Sequence, residues 1–227
     1  MENRDEPKSR REQAKDERRA RIVNAACELL REFELDSVSV AMIAERADVS
    51  AATIYNLFGT KAAVLLKVYD RDLETYQQHV ADANSADTLS TIFDAVGIAA
   101  DFYRRDPAFY REAMVVRAPT EAESELLTVV RGSRQAFWEN LVGAAIDDGF
   151  LVPDTDARRL GLLLAHIIMG SLADWVAGLI SLDRLESNAR YGFAVALMTF
   201  ATPKAQKLVK AEMRAATKKT KSRTPAR

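Results

Sequence analysis

The sequence predicts an all-α fold, and three observations carry that prediction. Apolar residues recur every three or four positions along most of the chain, no segment alternates as a strand does, and the internal prolines fall between the periodic segments. With 227 residues and 48% hydrophobic content, the chain can bury a substantial core. Its length and composition fit a globular protein of two modest domains.

Three helices are predicted between residues 22 and 58. In the first two, apolar residues share one helix face: Ile22, Ala25, Ala26, Leu29, Leu30 and Phe33, then Val40, Ile43, Ala44 and Ala47. Ser39 can cap the second helix, and Asp48 tolerates the left-handed turn that separates it from a third helix, which Ser50 can cap. The second and third helices therefore form a helix-turn-helix unit.

The third helix is expected to present a polar surface. It buries Ile54, Leu57 and Phe58, and the side chains left mostly outward are Ala51, Ala52, Thr53, Tyr55 and Asn56. A helix with these groups outward and no long acidic side chain can lie in the major groove of DNA, about 12 Å wide. It can donate to phosphates and base edges there. An ordinary pair of bundle helices is the alternative on periodicity alone.

Prolines and glycines delimit six further helices. The prolines between the apolar-periodic segments are Pro107, Pro119, Pro153 and Pro203. The predicted helices span residues 60–83, 86–105, 107–117, 120–148, 156–181 and 184–201. Residues 120–123 have the capping-box spacing, and Gly149 suits the end of a helix.

Charge is distributed unevenly, although the net charge is −1. Residues 203–227 contain nine Lys or Arg and one acidic residue, whereas residues 22–202 contain 15 and 26. This basic segment could bind DNA phosphates without reading sequence, or be a solvated, disordered tail without a partner. Arg18, Arg19 and Arg21 lead into the first helix, and arms so placed can reach a groove or the DNA backbone.

Small residues mark the last two predicted helices as a pairing surface. Gly170, Ala173, Ala177 and Gly178 lie on one side of the first of these helices and permit close backbone approach, and Ala194, Leu197 and Ala201 form a similar stripe on the next. Two copies could form a four-helix bundle across a two-fold axis. The alternative is that these faces complete the core of one chain.

Bulky apolar residues could line a cavity for a small molecule. The candidates are Phe102, Tyr103, Phe109, Tyr110, Met114, Phe137, Trp138, Leu141, Met169 and Trp175, each of which could also be ordinary core. His166 stands among leucines and isoleucines, so we expect it to be buried on a backbone carbonyl, or else to orient a ligand or sense pH. Arg117 and Asp174 are weaker candidates for polar anchors.

The sequence gives little indication of an enzyme or of a membrane protein. His79 and His166 lie far apart, and we find no HExxH, cysteine cluster, glycine-rich phosphate loop or GxSxG motif. We therefore predict no enzyme, no metal and no cofactor, and expect Cys27 to be an inert, half-buried thiol. The first 21 residues lack a signal-peptide core, and the apolar runs are expected to be too short and too often interrupted to span a bilayer, which predicts a cytoplasmic protein without membrane contact.

The segments IVNAACELL, VSVAMIAERADVS and TIYNLFGTKAAVL resemble the N-terminal domain of tetracycline-repressor-like (TetR) transcriptional regulators. The resemblance covers Ile22 to Leu66. It implies an all-helical homodimer with a DNA-binding N-terminal domain and a C-terminal domain for ligand binding and dimerisation. It also implies DNA contacts: Ser39, Thr53, Tyr55 and Lys61 near phosphates, and Ala52, Thr53 and Asn56 near bases, with Ser50 included in the candidate set.

Several residues depart from the family pattern. Glu34 and Asp48 stand where glycines are usual, so the adjoining turns must be made differently. Ala51 and Ala52 stand where Lys and Gly are frequent, and Ala62 replaces a common Glu. Without the lysine, the third helix loses one expected phosphate contact, and affinity must come from elsewhere.

Together these features predict four regions: a flexible arm at 1–17, a helix-turn-helix DNA-binding domain at 18–66, a helical ligand-binding and dimerisation domain at 67–202 and a basic tail at 203–227. The expected function is a transcriptional regulator, most simply a repressor, that binds a palindromic double-stranded operator as a homodimer. A small apolar or amphipathic effector would release it by tilting the helix at 60–83. The alternative is a helical dimer that binds a ligand or protein without specific DNA recognition.

Overall fold

The computed structural model describes residues 9–113 and 121–221. In these ranges its regular secondary structure is helical, apart from one isolated bridge between Leu151 and Ala201, which confirms the predicted all-α fold. The helices described are α1 (Arg10–Glu32), α2 (Val40–Arg46), α3 (Ala51–Phe58), α4 (Lys61–Ala81), α5 (Thr88–Arg105), α6 (Pro107–Ala113), α7 (Glu121–Asp147), α8 (Ala157–Val176), α9 (Leu182–Met198) and α10 (Pro203–Lys221). The chain divides into two compact units between Arg71 and Asp72.

The N-terminal unit surrounds one apolar core with α1, α2, α3 and the first half of α4. Ile22, Ile43 and Ile54 have no exposed surface, because helical spacing turns each of them inward. On α2, Arg46 donates two hydrogen bonds of 2.8 Å to the Glu32 carboxylate at the end of α1. These hydrogen bonds lower the pKa of Glu32 below its ordinary value and hold α2 against α1.

The first helix is longer than its sequence predicted. α1 begins at Arg10, because Ser9 and Glu12 form a capping box: the Ser9 hydroxyl accepts from the Glu12 nitrogen, and the Glu12 carboxylate accepts from the Ser9 nitrogen at 2.9 Å. The expectation of a flexible arm at 1–17 is therefore wrong for residues 10–17. Their basic side chains are carried on a helix.

Both turns of the helix-turn-helix region form without glycine. Asp48 adopts a left-handed backbone with φ of 52°, as predicted for the turn between α2 and α3. Glu34 does not need that conformation, since α1 ends at Phe33 in an extended conformation with φ of −135°. The departures from the family pattern are thus accommodated locally.

The C-terminal unit is a bundle in which α5, α7, α8, α9 and α10 share one core. Phe93, Leu164 and Phe193, from three of these helices, are at most 1% exposed. A Cβ added at Gly161 would lie 2.6 Å from the backbone nitrogen of Glu139, so α7 and α8 can pack this closely only around a glycine.

The basic C-terminal segment is a helix where the structure describes it. On α10, Ala205 and Val209 are fully buried and Ala216 is 4% exposed. The Ser187 hydroxyl donates 2.8 Å to the Ala216 carbonyl, and Arg190 donates 2.8 Å to the Glu212 carboxylate, both linking α9 to α10. The prediction of a tail is therefore wrong over residues 203–221.

The helix predicted at 156–181 ends earlier than expected, at Val176, because Gly178 has a left-handed backbone with φ of 74°. By length and composition this helix, α8, could cross a membrane, with a mean hydropathy of 1.3. The expectation that every apolar run is too short is thus wrong. Leu160, Leu164 and Leu172 are nevertheless buried in the bundle, as in the core helix of a globular unit.

Candidate functional site

The outer surface of α3 matches its prediction. Ile54 is fully buried, while Leu57 and Phe58 are half-buried. The exposed side chains are Ala51, Ala52, Tyr55 and Asn56, with Thr53 half-buried. The helix therefore offers methyl groups, a phenol and an amide to solvent, and it carries no charged side chain of its own.

Two hydroxyls at the start of α3 hold each other in place. The Ser50 hydroxyl accepts from the Thr53 nitrogen at 3.1 Å, which caps the helix as predicted. The Ser50 and Thr53 hydroxyl oxygens also lie 2.8 Å apart and share a hydrogen bond. Both side chains are thus oriented before any ligand arrives, and their roles toward DNA stay predictions.

Ser39 and Lys61 occupy structural positions as well. The exposed Ser39 hydroxyl caps α2 by accepting from the Met42 nitrogen at 3.2 Å. The Lys61 ammonium donates 3.1 Å to the Leu35 carbonyl in the loop after α1. An ammonium has three donor hydrogens, so Lys61 can hold this loop and still contact a phosphate, which stays a prediction.

A groove runs between the first turns of α1 and the outer surface of α3. The residues lining it are Arg11, Glu12, Lys15 and Arg18 from α1 and Thr53, Asn56 and Leu57 from α3. Sequence reasoning identified Arg18, Thr53 and Asn56 but missed Arg11 and Lys15, because it assigned them to a flexible arm. The signal that could have found them is the S-x-x-E spacing of Ser9 and Glu12.

The C-terminal unit contains a partly open aromatic cavity of about 50 Å³. Its lining consists of Asp72, Leu73, Tyr76, Ala99, Phe102, Tyr103, Tyr110, Arg134, Phe137, Trp138, Ala165, Ile168 and Met169. Six of these were predicted cavity residues: Phe102, Tyr103, Tyr110, Phe137, Trp138 and Met169. The lining comes from α4, α5, α6, α7 and α8, so the cavity lies where these five helices meet.

Polar groups converge on one part of this cavity. The Tyr110 hydroxyl donates 2.6 Å to the Asp72 carboxylate, which joins α6 to α4. The Tyr76 hydroxyl donates 2.9 Å to the Ala95 carbonyl, and the Arg134 guanidinium lies 3.2 Å from the Met169 sulfur. The cavity therefore contains an acid and a guanidinium among its aromatic rings.

The cavity tyrosines are neutral hydroxyl donors. Burial raises the pKa of Tyr76 and of Tyr103. Burial likewise raises the pKa of Tyr110, and the neighbouring Asp72 charge raises it further. Each tyrosine can thus orient a polar group of a ligand by hydrogen bonding.

Other predicted cavity residues lie elsewhere. Phe109 and Trp175 are each 3% exposed and belong to the packed interior, where Trp175 stacks on Tyr103 with ring centroids 5.9 Å apart. Leu141 packs against the main core rather than the cavity. Met114 and Arg117 lie outside the described residues.

His166 and Asp174 are exposed on α8, so the expectation of a buried histidine is wrong. A stretch of leucines and isoleucines surrounds His166 in the sequence, but helical geometry turns it away from the core. His79 lies on another helix, α4, with its Nδ1 2.8 Å from the Thr75 carbonyl oxygen. Within residues 9–113 and 121–221, no group of three or more His, Cys, Asp or Glu is placed to hold a metal ion.

The outer face of α8 and α9 is unusually apolar. Its large exposed residues are Leu162, Leu163, Tyr191 and Val195, of which the last three are 46–47% accessible. Gly170 and Ala173 are exposed on the same pair of helices, as the predicted pairing surface requires. Ala194 and Leu197 are not exposed, because both are fully buried in the core of their own chain. Ala177, Gly178 and Ala201 lie beyond the helix ends.

Comparison with known proteins identifies the N-terminal unit. Residues 22–68, which contain the last 11 residues of α1, all of α2 and α3 and the start of α4, match the family described as bacterial regulatory proteins, tetR family. Over these residues the chain is therefore similar to the DNA-binding domain of the TetR family. A curated relative, the uncharacterized HTH-type transcriptional regulator YdeS of Bacillus subtilis strain 168, is 53% identical over 45 residues. The alignment covers 20% of this chain and 23% of that relative.

Solved structures extend the likeness to both units of the chain. A TetR-family transcriptional regulator from Syntrophomonas wolfei has a TM-score of 0.68 at 15% identity, covering 80% of this chain and 95% of the other. Thermus thermophilus FadR, a TetR-family repressor in complex with lauroyl-CoA, has a TM-score of 0.64 at 20% identity, covering 81% and 95%. At such identities the likeness shows the fold alone.

Proposed function

We propose that this chain is a TetR-family transcriptional regulator, most simply a repressor, that reads double-stranded DNA with α3. The observation that carries the proposal is the capped α3 surface, where Ala52, Tyr55 and Asn56 project from a helix-turn-helix domain of the matched family. Asn can form paired hydrogen bonds with adenine in the major groove, and a tyrosine hydroxyl can donate to a phosphate. No catalytic role is proposed, and a cytoplasmic location accords with DNA binding.

We propose that the regulator works as a homodimer joined through α8 and α9. The exposed apolar residues Leu163, Tyr191 and Val195, beside the small residues Gly170 and Ala173, form a surface that a second copy can bury. A two-fold axis there would present two α3 helices to one face of DNA. Half-sites about 34–36 Å apart follow from one turn of the duplex.

We propose that the cavity binds an amphipathic effector. Its aromatic walls suit an apolar body, and Asp72, Tyr110 and Arg134 can orient one polar group. The cavity of about 50 Å³ is smaller than one of roughly 150 Å³ that binds benzene. Side chains must therefore move to admit any effector, and a bound acyl-CoA, as in the T. thermophilus relative, would demand a large opening.

The movement offers a route from effector to DNA. α4 runs from Lys61, beside the helix-turn-helix, to the cavity residues Asp72 and Tyr76. An effector that competes for the Tyr110–Asp72 hydrogen bond would remove the link between α6 and α4. A shift of α4 would alter the separation of the two α3 helices in the dimer and disfavour the DNA-competent state.

Selection of bound sequences from random duplexes tests the proposal. At physiological salt, a dimeric regulator should enrich a palindrome whose half-sites lie about one helical turn apart. Enrichment of a single unpaired half-site would remove the dimer from the proposal. Binding that shows no sequence preference and vanishes as salt rises would instead support a helical ligand- or protein-binding module without specific DNA recognition.

A further inference from the structure

We propose a second DNA contact on α1, formed by Arg11, Lys15 and Arg18, which we call the α1 stripe. It rests on the proposed DNA-binding function and assigns phosphate-binding residues beyond α3. The three residues precede the segment matched by the family, which begins at Ile22.

The α1 stripe lines the same groove as the exposed surface of α3 that is proposed to contact bases. Its members are spaced four and three residues apart, which places them on one side of a helix. All three line the groove together with Thr53 and Asn56. A duplex whose bases reach Asn56 brings its phosphates beside α1, because the sugar-phosphate backbones border the groove in which a reading helix lies.

Charge makes this contact favourable. α3 carries no charged side chain, so the positive charge along the groove comes from α1. The one acidic residue among the groove-lining side chains, Glu12, accepts a 2.9 Å hydrogen bond from the Ser9 nitrogen and is held at the start of the helix. Three cations against one carboxylate leave a net positive groove, which is the electrostatic requirement for binding phosphates.

The contact is also favoured because α1 is already formed as a helix before DNA binds. The helix begins 12 residues before Ile22, and at 1.5 Å per residue those residues extend it by about 18 Å. The Ser9–Glu12 capping box fixes where the helix starts. A flexible arm would lose conformational freedom on binding, whereas cations on a formed helix lose only side-chain freedom.

The test compares two variants of equal net charge. In the stripe variant, Arg11→Gln is combined with Lys15→Gln; in the control, Arg10→Gln is combined with Arg31→Gln, exposed positions on other faces of α1. Glutamine retains good helix propensity, and circular dichroism with thermal unfolding verifies that both variants keep the helical fold. Affinity is measured at several salt concentrations on the selected operator and on a random-sequence duplex.

Each phosphate contact contributes about 0.9 to the slope of log affinity against log salt. We expect the stripe variant to lose between one and two from that slope on both duplexes, with base preference unchanged. The control should keep the wild-type slope, and a Lys15→Arg variant, which preserves the charge, should keep it too. Equal slopes for the stripe variant and the control would overturn the α1 contact.

The random-sequence duplex separates this inference from the proposed function. If the wild-type protein selects no operator, the regulator proposal fails, yet the slopes on random DNA still decide whether α1 binds phosphates. If an operator is selected and the stripe variant keeps the full slope of the wild-type protein and the control, the regulator proposal stands and the α1 contact is wrong.

Discussion

The two candidate sites hold their polar groups in opposite environments. On α3, Tyr55 and Asn56 project into solvent from a helix anchored by one buried residue, Ile54. In the C-terminal unit, Tyr76, Tyr110 and Arg134 surround a small aromatic cavity, and two of the hydroxyls are already hydrogen-bonded. The surface site can bind a partner without any rearrangement of its side chains. The interior site must rearrange first, so the two sites should respond differently to substitution.

The largest difference is expected from removing an aromatic ring. Trp138 is 3% exposed and meets Phe137 and Phe193 edge to face, with each pair of centroids 5.0 Å apart. We expect Trp138→Ala to reduce the free energy of unfolding by about 3–5 kcal/mol. Tyr55→Ala, which removes an exposed ring, should change it by about 0.5 kcal/mol or less.

Chemical denaturation of both variants measures these values. If Trp138→Ala costs no more than Tyr55→Ala, the ring lies in a loosely packed pocket rather than in the core. Thermal unfolding with candidate effectors adds a second test, because a ligand that binds only the folded state raises the midpoint as its occupancy rises.

A single hydroxyl should distinguish packing from signalling at the cavity. Tyr110→Phe keeps the ring but removes the donor to Asp72, and we expect a loss of about 1.5 kcal/mol of unfolding free energy, since the bond to a carboxylate is half-buried. Operator binding should survive, while the effector concentration needed to release DNA should change. Titration of the protein–operator complex with effector measures it, and an identical effector response in the variant would remove Tyr110 from the coupling route.

Substitutions at the proposed DNA-binding residues should leave the fold stable but change how the protein binds DNA. We expect Asn56→Ala to relax base preference at one operator position by about 1–3 kcal/mol, with little change in the free energy of unfolding. Lys61→Ala should weaken binding to all sequences alike, and it should also destabilise the N-terminal unit slightly, because Lys61 holds the Leu35 carbonyl. The affinity of each variant for a panel of operator sequences tests both expectations. Unchanged discrimination in the Asn56 variant would exclude that side chain from base reading.

Sequence reasoning succeeded where local signals set the structure. The caps Ser39 and Ser50 and the left-handed Asp48 act within a few residues of the turns they form, so the helix-turn-helix was predictable. The polar part of the cavity was not, because Asp72 and Arg134 come from helices far apart in the chain. On an amphipathic helix, a charged residue that faces a cavity has the same local pattern as one that faces solvent.

The apolar character of α8 misled sequence reasoning in a related way. His166 was expected to be buried because leucines and isoleucines flank it, but Leu162 and Leu163 are themselves exposed. A helix that packs inward on one face and presents apolar residues outward on another has no polar stripe to mark its orientation. The proposed pairing with a second copy would give such a sequence a physical reason.

The smallest effect is expected from the basic face of α10. Deleting residues 204–227 would test DNA binding by this segment poorly, since it would also remove the buried Ala205 and Val209 from the core. Neutralising the exposed cations instead preserves the buried face of the helix. The substitutions are Lys207→Gln, Lys210→Gln, Arg214→Gln and Lys218→Gln.

We expect these four substitutions to change the salt slope of operator binding by less than one phosphate contact, or about 0.9. The reason is that α10 has a structural role that explains its pattern: one face packs on α9, and the cations occupy the opposite, solvated face. Even Lys204 is engaged within its own unit, donating 2.9 Å to the Asp148 carbonyl and lying 3.8 Å from the Phe150 ring centroid. A slope reduced by two or more would instead show that α10 binds DNA, and would add a third contact to those of α3 and the α1 stripe.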